Sequence, residues 1–454
     1  MNGKSFFYDI LEDLYKFSDY ADIYIENTVY DTIVFESGKL DRFEKIKDSG
    51  IGLRIIKNYK TYYAYTTSFD IKDIQECVEN LCEMSESSEK NDIFSIEKTV
   101  SYEYEKSNKT YNLTSKIDKI KNVDSIAWGS KFTKQVSTNF KETKKNIRII
   151  TSDGNDLSQE LNYVTLFCTV ICEKDGVLQT GYESIGGLYS FDKLLEERVE
   201  IVSKNALKRA LQNLEADYAP AGEMCVILSS NAGGTMVHEA VGHGLEADLA
   251  TNGLSVYQNK IGEKVASEKI TVIDDATLDG KRGSFYFDDE GVEAQRTVLI
   301  ENGVLKNYMY DRLYAMKNNC QSTGNGRRQS YRYKPIVRMT NTLIAPGNDN
   351  PDDIISSVDE GLFVVKMGGG QVNTVNGDFV FEVNEGYLIK NGKIQNPVKN
   401  ATLIGNGPKI MMEIDMVGND LGFGIGTCGK DGQGVPVSDA QPTLRIPKIT
   451  VGGK

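Results

Sequence analysis

Histidine is almost missing from this chain: two residues in 454, His238 and His243. No stretch approaches the roughly 18 uninterrupted apolar residues that a membrane-spanning helix requires, so no membrane partner is expected. The opening MNGKSFFYDILEDLYKF is broken by Asp9, Glu12 and Asp13 and offers no signal-peptide core, which predicts a soluble, cytoplasmic protein. Positive charge is also short. Lys and Arg total 52 against 65 Asp and Glu, a net charge of −13. Broad binding to a phosphate backbone needs a dense cationic surface, so direct nucleic-acid binding is excluded as a first reading. Cysteine is sparse and odd in number, at seven, which fits a reducing compartment and excludes a disulfide scaffold.

What remains is globular. Apolar residues make up 40% and charged residues 26%, far from the composition of disordered chains, and the length suits two or three domains. The first half reads as mixed α/β. A helix is expected near residues 4–17, with strands at ADIYIEN, YDTIVFES and SGIGLRIIKNYKTYYAYTT. Ile71, Ile74, Val78, Leu81 and Cys82 form the stripe of an amphipathic helix over 71–87. Residues 88–112 read as a polar surface connection, 145–190 as strands around YVTLFCTVIC, and 192–215 as helix. The Pro and Gly of ADYAPAGE place a boundary between an N-terminal α/β domain, 1–218, and a C-terminal domain, 219–454. The second half is β-rich, with ENG (301–303) and KNG (390–392) as hairpin turns, and no solenoid-like repeat is visible. The fold class is therefore α+β, the smaller α/β domain packed on the β-rich one.

Both histidines fall in GGTMVHEAVGHGLEAD, as H-E-x-x-x-H. This is one residue longer than the H-E-x-x-H of zinc peptidases, and the extra residue matters. Positions i and i+4 of a helix point within about 40° of each other, but i and i+5 diverge by about 140°. For both imidazoles to reach one ion the backbone must open into a π-type turn or end, and Gly242 and Gly244 flank His243 where such a departure is cheapest. Glu239 stands where a metallopeptidase holds its base. Two imidazoles leave a catalytic zinc one protein ligand short. Glu246, Asp248, Glu263 and Glu268 follow the motif, and Cys428 sits among glycines in GFGIGTCGKDGQG. Residue chemistry leaves all five open. A thiolate would favour zinc over magnesium or calcium.

HEAVGHGLEAD, then YMYDRLYA, NGRRQSYRYKPIVRMTNT, GGGQV, KNATLIGNGP and MVGNDLGFGIGTCGKDGQGVPV, resembles the metal-bearing type of the TldD/PmbA family, also called modulators of DNA gyrase. The likeness runs from about Ala219 to the C-terminus, and more loosely through IYIENTVYDTIVFESGKLDRFEKIKDSGIGLRI. It implies a zinc-dependent peptidase acting on small or unfolded proteins. The ligands it implies are His238, His243 and Cys428, the general base Glu239. It also implies an oligomer, with a metal-free sister subunit as a candidate partner. The HExxxH helix is expected near the domain junction.

Three further readings carry less. GIGTCGKD nearly fits a nucleotide-binding P-loop, but Asp431 replaces the magnesium-binding hydroxyl, no strand precedes it and DGQGVP reads as loop. Arg327, Arg328, Arg332 and Arg338, with Tyr331, are candidates to hold a substrate carboxylate or an oxyanion, against the plainer reading of ion pairs across domain surfaces. Gly368, Gly369 and Gly370 interrupt a strand pattern, either to let a substrate backbone approach or as a bulge. The reading from another functional class is a non-catalytic, zinc-stabilised peptide-binding or assembly protein, for which Glu239 would have no use.

Overall fold

A computed structural model describes residues 3–85, 95–102, 111–197 and 199–454. Most of the polar connection expected over 88–112 lies outside the described residues. Seven strands of the first half build one sheet: β1 (Tyr20–Glu36), β2 (Lys39–Lys57), β3 (Lys60–Thr66), β4 (Lys98–Tyr102), β5 (Thr133–Thr151), β6 (Asn155–Lys174) and β7 (Val177–Leu188). The order is β3-β2-β1-β5-β6, and the far edge of β6 is shared by β4, parallel to its start, and β7, antiparallel to its end. ADIYIEN and YDTIVFES are not two strands. Asn27 pairs with Ser49 on one side and Asn146 on the other, so unbroken ladders on both edges carry β1 through residues that read locally as a turn.

Helices cover one face of this sheet. The helices α1 (Gly3–Tyr15) and α2 (Ile71–Met84) bury Leu11, Leu14, Ile74 and Leu81 against Ile23, Ile51 and Leu53 at one end. At the other end α3 (Leu113–Ala127), α4 (Phe191–Glu196) and α5 (Glu200–Glu215) cover Ile33, Phe140 and Leu166. The helix expected over 192–215 is two, and α3 is an addition, its apolar stripe being weak. Side chains of a strand alternate in face, so Asp22, Tyr24 and Glu26 point away from the helices and meet the second half. There Arg54 bridges Asp22 (2.6 Å) and Glu290 (2.5 Å), and Tyr24, Ile149 and Leu161 pack on Phe285, Phe287 and Tyr331.

The second half holds two large sheets and a two-stranded ribbon of Gly326–Arg327 with Ile336–Val337. In one, strands Gly222–Leu228, Glu360–Val372, Asp378–Lys390, Ala401–Asn406 and Leu444–Gly452 close on themselves as a small barrel. The other runs in the order 304–305, 296–301, 272–275, 341–344, 433–441, 422–430. Both Asn-Gly turns are present: Asn302 and Gly303 (φ 47° and 81°) and Asn391 and Gly392 (φ 49° and 69°) take the left-handed pair a tight hairpin demands. Sheet membership changes between β7 and Asp217–Tyr218, which pairs with Val398–Lys399. The architecture is α+β and strand-rich. Among the described residues no helix is long and apolar enough to cross a membrane.

Candidate metal centre

The segment bearing both histidines is a helix in three gauges. Gly233 and Gly234 (φ 88° and 73°) open it, and a Cβ on Gly234 would stand 2.4 Å from the Ala440 nitrogen, so only glycine fits. One α-turn, Thr235–Val237, is followed by a π-turn over His238–Gly242 and a 3-10 turn over His243–Leu245. In the π-turn the His243 N–H donates to the His238 carbonyl, five residues back. That wider turn cancels the divergence of i and i+5 and brings the two rings together, 5.1 Å apart and near perpendicular. Gly242 serves space and not backbone freedom: its φ is an ordinary helical −55°, and a Cβ there would meet the Met339 sulfur at 2.1 Å.

Cys428 arrives from the strand Gly422–Lys430, antiparallel to Gln433–Gln441 and turning at Asp431 and Gly432. The glycine-rich segment is thus a hairpin, where the sequence reads as loop, because each glycine is paired in the ladder. The buried Arg338 guanidinium donates to the Cys428 and Gln433 carbonyls and fixes that strand. Of the arginine cluster, Arg338 is the one that holds a residue of the centre in place.

Ligating atoms of His238, His243 and Cys428 lie within 4.8 Å of one another, and Cys428 Sγ is 3.5 Å from His243 Nε2. Two ligands of a tetrahedral zinc stand about 3.5 Å apart, so the donor set fits that ion. Each imidazole is oriented from behind by a carboxylate. The Nδ1–H of His238 donates to Asp439 (2.6 Å) and that of His243 to Glu246 (2.9 Å), which leaves both Nε2 lone pairs for the centre. Of the five candidates for third ligand, Cys428 alone joins the histidines. Glu246 stands behind His243, Asp248 accepts from Lys430 (2.7 Å), and Glu263 and Glu268 are exposed outside the group.

The electrostatics suit a cation. Burial opposes ionisation of Cys428, but both imidazoles outweigh it and bring the thiol down to about 6. Burial disfavours a charged His243, yet Glu246 and Cys428 hold it up at about 10 in the metal-free site. Glu246 falls to about 2, burial being overcome by Lys430 and His243. Glu239, half-buried, lines an open cavity of about 430 Å³ with His243, Gln371, Val372 and Lys430.

The other sequence candidates lie elsewhere. Arg327 is buried and donates to the Met339 and Pro436 carbonyls (2.6 and 2.7 Å). Arg328 donates to the Asp289 carbonyl (2.7 Å) and stacks on Tyr24. The Tyr331 hydroxyl donates to Asp48 (2.9 Å), which also takes Arg332. Arg328, Tyr331 and Arg332 belong to the contact between the first-half sheet and the second half. Gly369 is in the strand Glu360–Val372, at a bulge where Met367 opposes Val383 and Gly370 opposes Phe381. Sequence reasoning missed Asp439 and Lys430. Nothing in the spacing marks Asp439, 201 residues from its histidine.

Three donors within reach of one another, with a carboxylate on the cavity beside His243, form a candidate metal centre. Models of the PmbA/TldA metallopeptidase match residues 21–85 (domain 1), 106–214 (central domain) and 221–453 (C-terminal domain). The chain is 39% identical over 448 residues to a metalloprotease TldD homolog of Buchnera aphidicola, covering 96% of this chain and 93% of that one. A metalloprotease TldD homolog of Haemophilus influenzae is also 39% identical, over 450 residues, with the same coverage. A zinc metalloprotease TldD homolog of Saccharolobus solfataricus is 34% identical over 67% of each chain. TldE from Thermococcus kodakarensis shares the fold, with a TM-score of 0.78 at 19% identity, over 99% of this chain and 100% of its own. This chain belongs to the PmbA/TldD metallopeptidase family.

Proposed function

We propose that this chain is a zinc-dependent peptidase that hydrolyses unfolded or small protein substrates, with His238, His243 and Cys428 as metal ligands and Glu239 as general base. The observation that carries the reading is a three-donor cluster whose His243 shares an open cavity with the Glu239 carboxylate. A purely structural zinc site closes its fourth position with protein and keeps no base beside it. When bound, zinc supplies Lewis-acid polarisation of the scissile carbonyl and acidifies water. Glu239 takes the proton of the attacking water and passes it to the leaving amine. Asp439 and Glu246 keep each imidazole in the tautomer that presents Nε2, and Arg338 holds the Cys428 strand in register.

The edge of the Glu360–Val372 strand suits an extended substrate. Beyond Val364, its last partner in Gly222–Leu228, the strand is paired on one side only, and it runs through Gly369 to Gln371 and Val372 on the wall of the Glu239 cavity. A peptide added along this edge would use main-chain hydrogen bonds that ignore its sequence. A Cβ on Gly369 would meet nothing within 4 Å. Gly369→Val is therefore expected to leave zinc content and melting temperature unchanged while weakening peptide binding and turnover. Lost stability with normal turnover of the folded fraction would assign the glycine to the fold alone.

The two-domain division at 218/219, the cytoplasmic setting, and assembly as an oligomer beside a metal-free sister chain complete the proposal, on the grounds of sheet membership, composition and family. The function is tested by incubating the purified chain with a chemically unfolded protein and reading the products by mass spectrometry. Fragments should appear, vanish after chelation and return with one equivalent of zinc. An intact substrate in the zinc-loaded sample would overturn the reading.

A further inference from the structure

A second cavity lies away from the metal cluster. It is a cleft of about 820 Å³ between the outer face of the first-half sheet and the second half. Its floor is one continuous face, with Lys141 and Thr143 of β5 opposite Thr165 and Tyr163 of β6, and Phe285 and Phe287 add apolar wall. Its roof reaches Arg282, Arg327 and Thr427. Thr427 precedes Cys428 on the hairpin strand, so by strand alternation the cleft and the metal centre face opposite sides of that strand.

The charges in the cleft do not balance. Its carboxylates are committed: Asp48 to Tyr331 and Arg332, Asp288 to the backbone N–H groups of Glu290, Val292 and Gly326, Asp289 to the backbone N–H of Arg328 and the Tyr24 hydroxyl, and Glu44 to Arg42. Lys145 and Arg328 pair with Glu26 (3.3 Å) and Asp22 (3.5 Å). Lys47, Lys141, Arg282 and Arg327 make no ion pair among the described residues. Arg282 spends its terminal nitrogens on the Gly426 carbonyl and Thr427, and its Nε–H is buried without a protein partner. Burial first, then the neighbouring charge of Arg282, lowers the Lys141 ammonium, and Arg282 itself falls to about 10 through burial with Arg327 adding to the repulsion. Gathering like charges in a partly desolvated cleft is costly without a counter-ion. A chain of net charge −13 does not lack acids to neutralise them.

We propose that this cleft is an anchoring site for acidic peptide segments, with Lys141 and Arg282 taking Asp or Glu carboxylates. The ligand's being a peptide rests on the peptidase reading; the anion site rests on the unpaired cations. Substrate held here is tethered through Arg282 to the strand that carries Cys428, which raises the local concentration of its unfolded remainder near the centre.

The test uses the zinc-loaded chain carrying Glu239→Gln, so that binding is read without turnover. Anisotropy of a labelled oligo-glutamate peptide is compared with that of an oligo-glutamine peptide of equal length. The acidic peptide should bind at least about tenfold tighter in low salt, about 1.4 kcal/mol, and the margin should shrink as salt approaches about 0.5 M. Lys141→Glu, at an exposed position, should remove the preference with zinc content and melting temperature unchanged. Equal binding of the two peptides, or a preference that survives both Lys141→Glu and Arg282→Gln, overturns the site. So does inorganic phosphate binding tightly while neither peptide is preferred. Acidic preference without hydrolysis by the unmodified chain would sink the peptidase reading and leave the anion site standing; hydrolysis without preference would do the reverse.

Discussion

Replacing Glu239 by alanine is expected to cut peptide hydrolysis by about 10³-fold or more while zinc stays bound. The expectation follows from position. Glu239 sits one residue after His238, in the π-turn that brings both imidazoles together, and it lines an open cavity with His243. It contributes no atom to the three-donor group, so its loss removes the proton acceptor and spares the metal. Rates with an unfolded protein substrate, alongside metal analysis of the same preparation, check this. Wild-type turnover in the variant would show that the carboxylate carries no proton and would favour the non-catalytic zinc scaffold.

Zinc content is the second large effect: close to one ion per chain in the unmodified protein, and near zero in His238→Ala or Cys428→Ala. Each variant removes one of three ligands, and the remaining pair falls short of a catalytic set. Full occupancy in Cys428→Ala would overturn the thiolate assignment and move attention to Glu246, whose carboxylate lies behind His243. The same site gives a pH dependence of known sign. His243 in the metal-free site is raised to about 10, so a proton must leave before the nitrogen can ligate. Zinc affinity therefore rises as pH increases toward that value, by about tenfold per pH unit for each proton released. Calorimetry in buffers of different ionisation heat reads the proton count directly, and zero released protons would contradict the ion pairing described for His243.

Asp439→Asn separates orientation from ligation. The amide can still accept from the His238 Nδ1–H, but without the charge that makes the imidazole a better donor, so affinity is expected to drop by about 10- to 100-fold with the metal geometry preserved. An unchanged affinity would reduce Asp439 to packing.

Much of the centre was legible in the chain itself. The i, i+5 spacing of His238 and His243 demands either a π-turn or no shared ion, a matter of helical geometry within one segment, and the π-turn is there. Alternation and turn residues likewise announce both Asn-Gly hairpins, since a left-handed dipeptide is a local property. The reading failed where long-range pairing overrides local signals. β1 continues through Asn27 because neighbours on both edges hold it extended, and GFGIGTCGK is a strand because Gln433–Gln441 supplies its ladder. The segment's own glycines point to loop.

Local sequence by itself determined the two histidines of the donor cluster, the carboxylate beside them and the distorted helix that carries them, because all three side chains lie within six residues and their relation depends only on backbone gauge. Tertiary structure decided the rest. Asp439 behind His238, Arg338 on the Cys428 carbonyl and the unpaired cations above β5 and β6 each depend on segments tens to hundreds of residues apart. Which side chains meet across such separations is set by how sheets and helices bury their apolar faces, and no spacing along the chain encodes it.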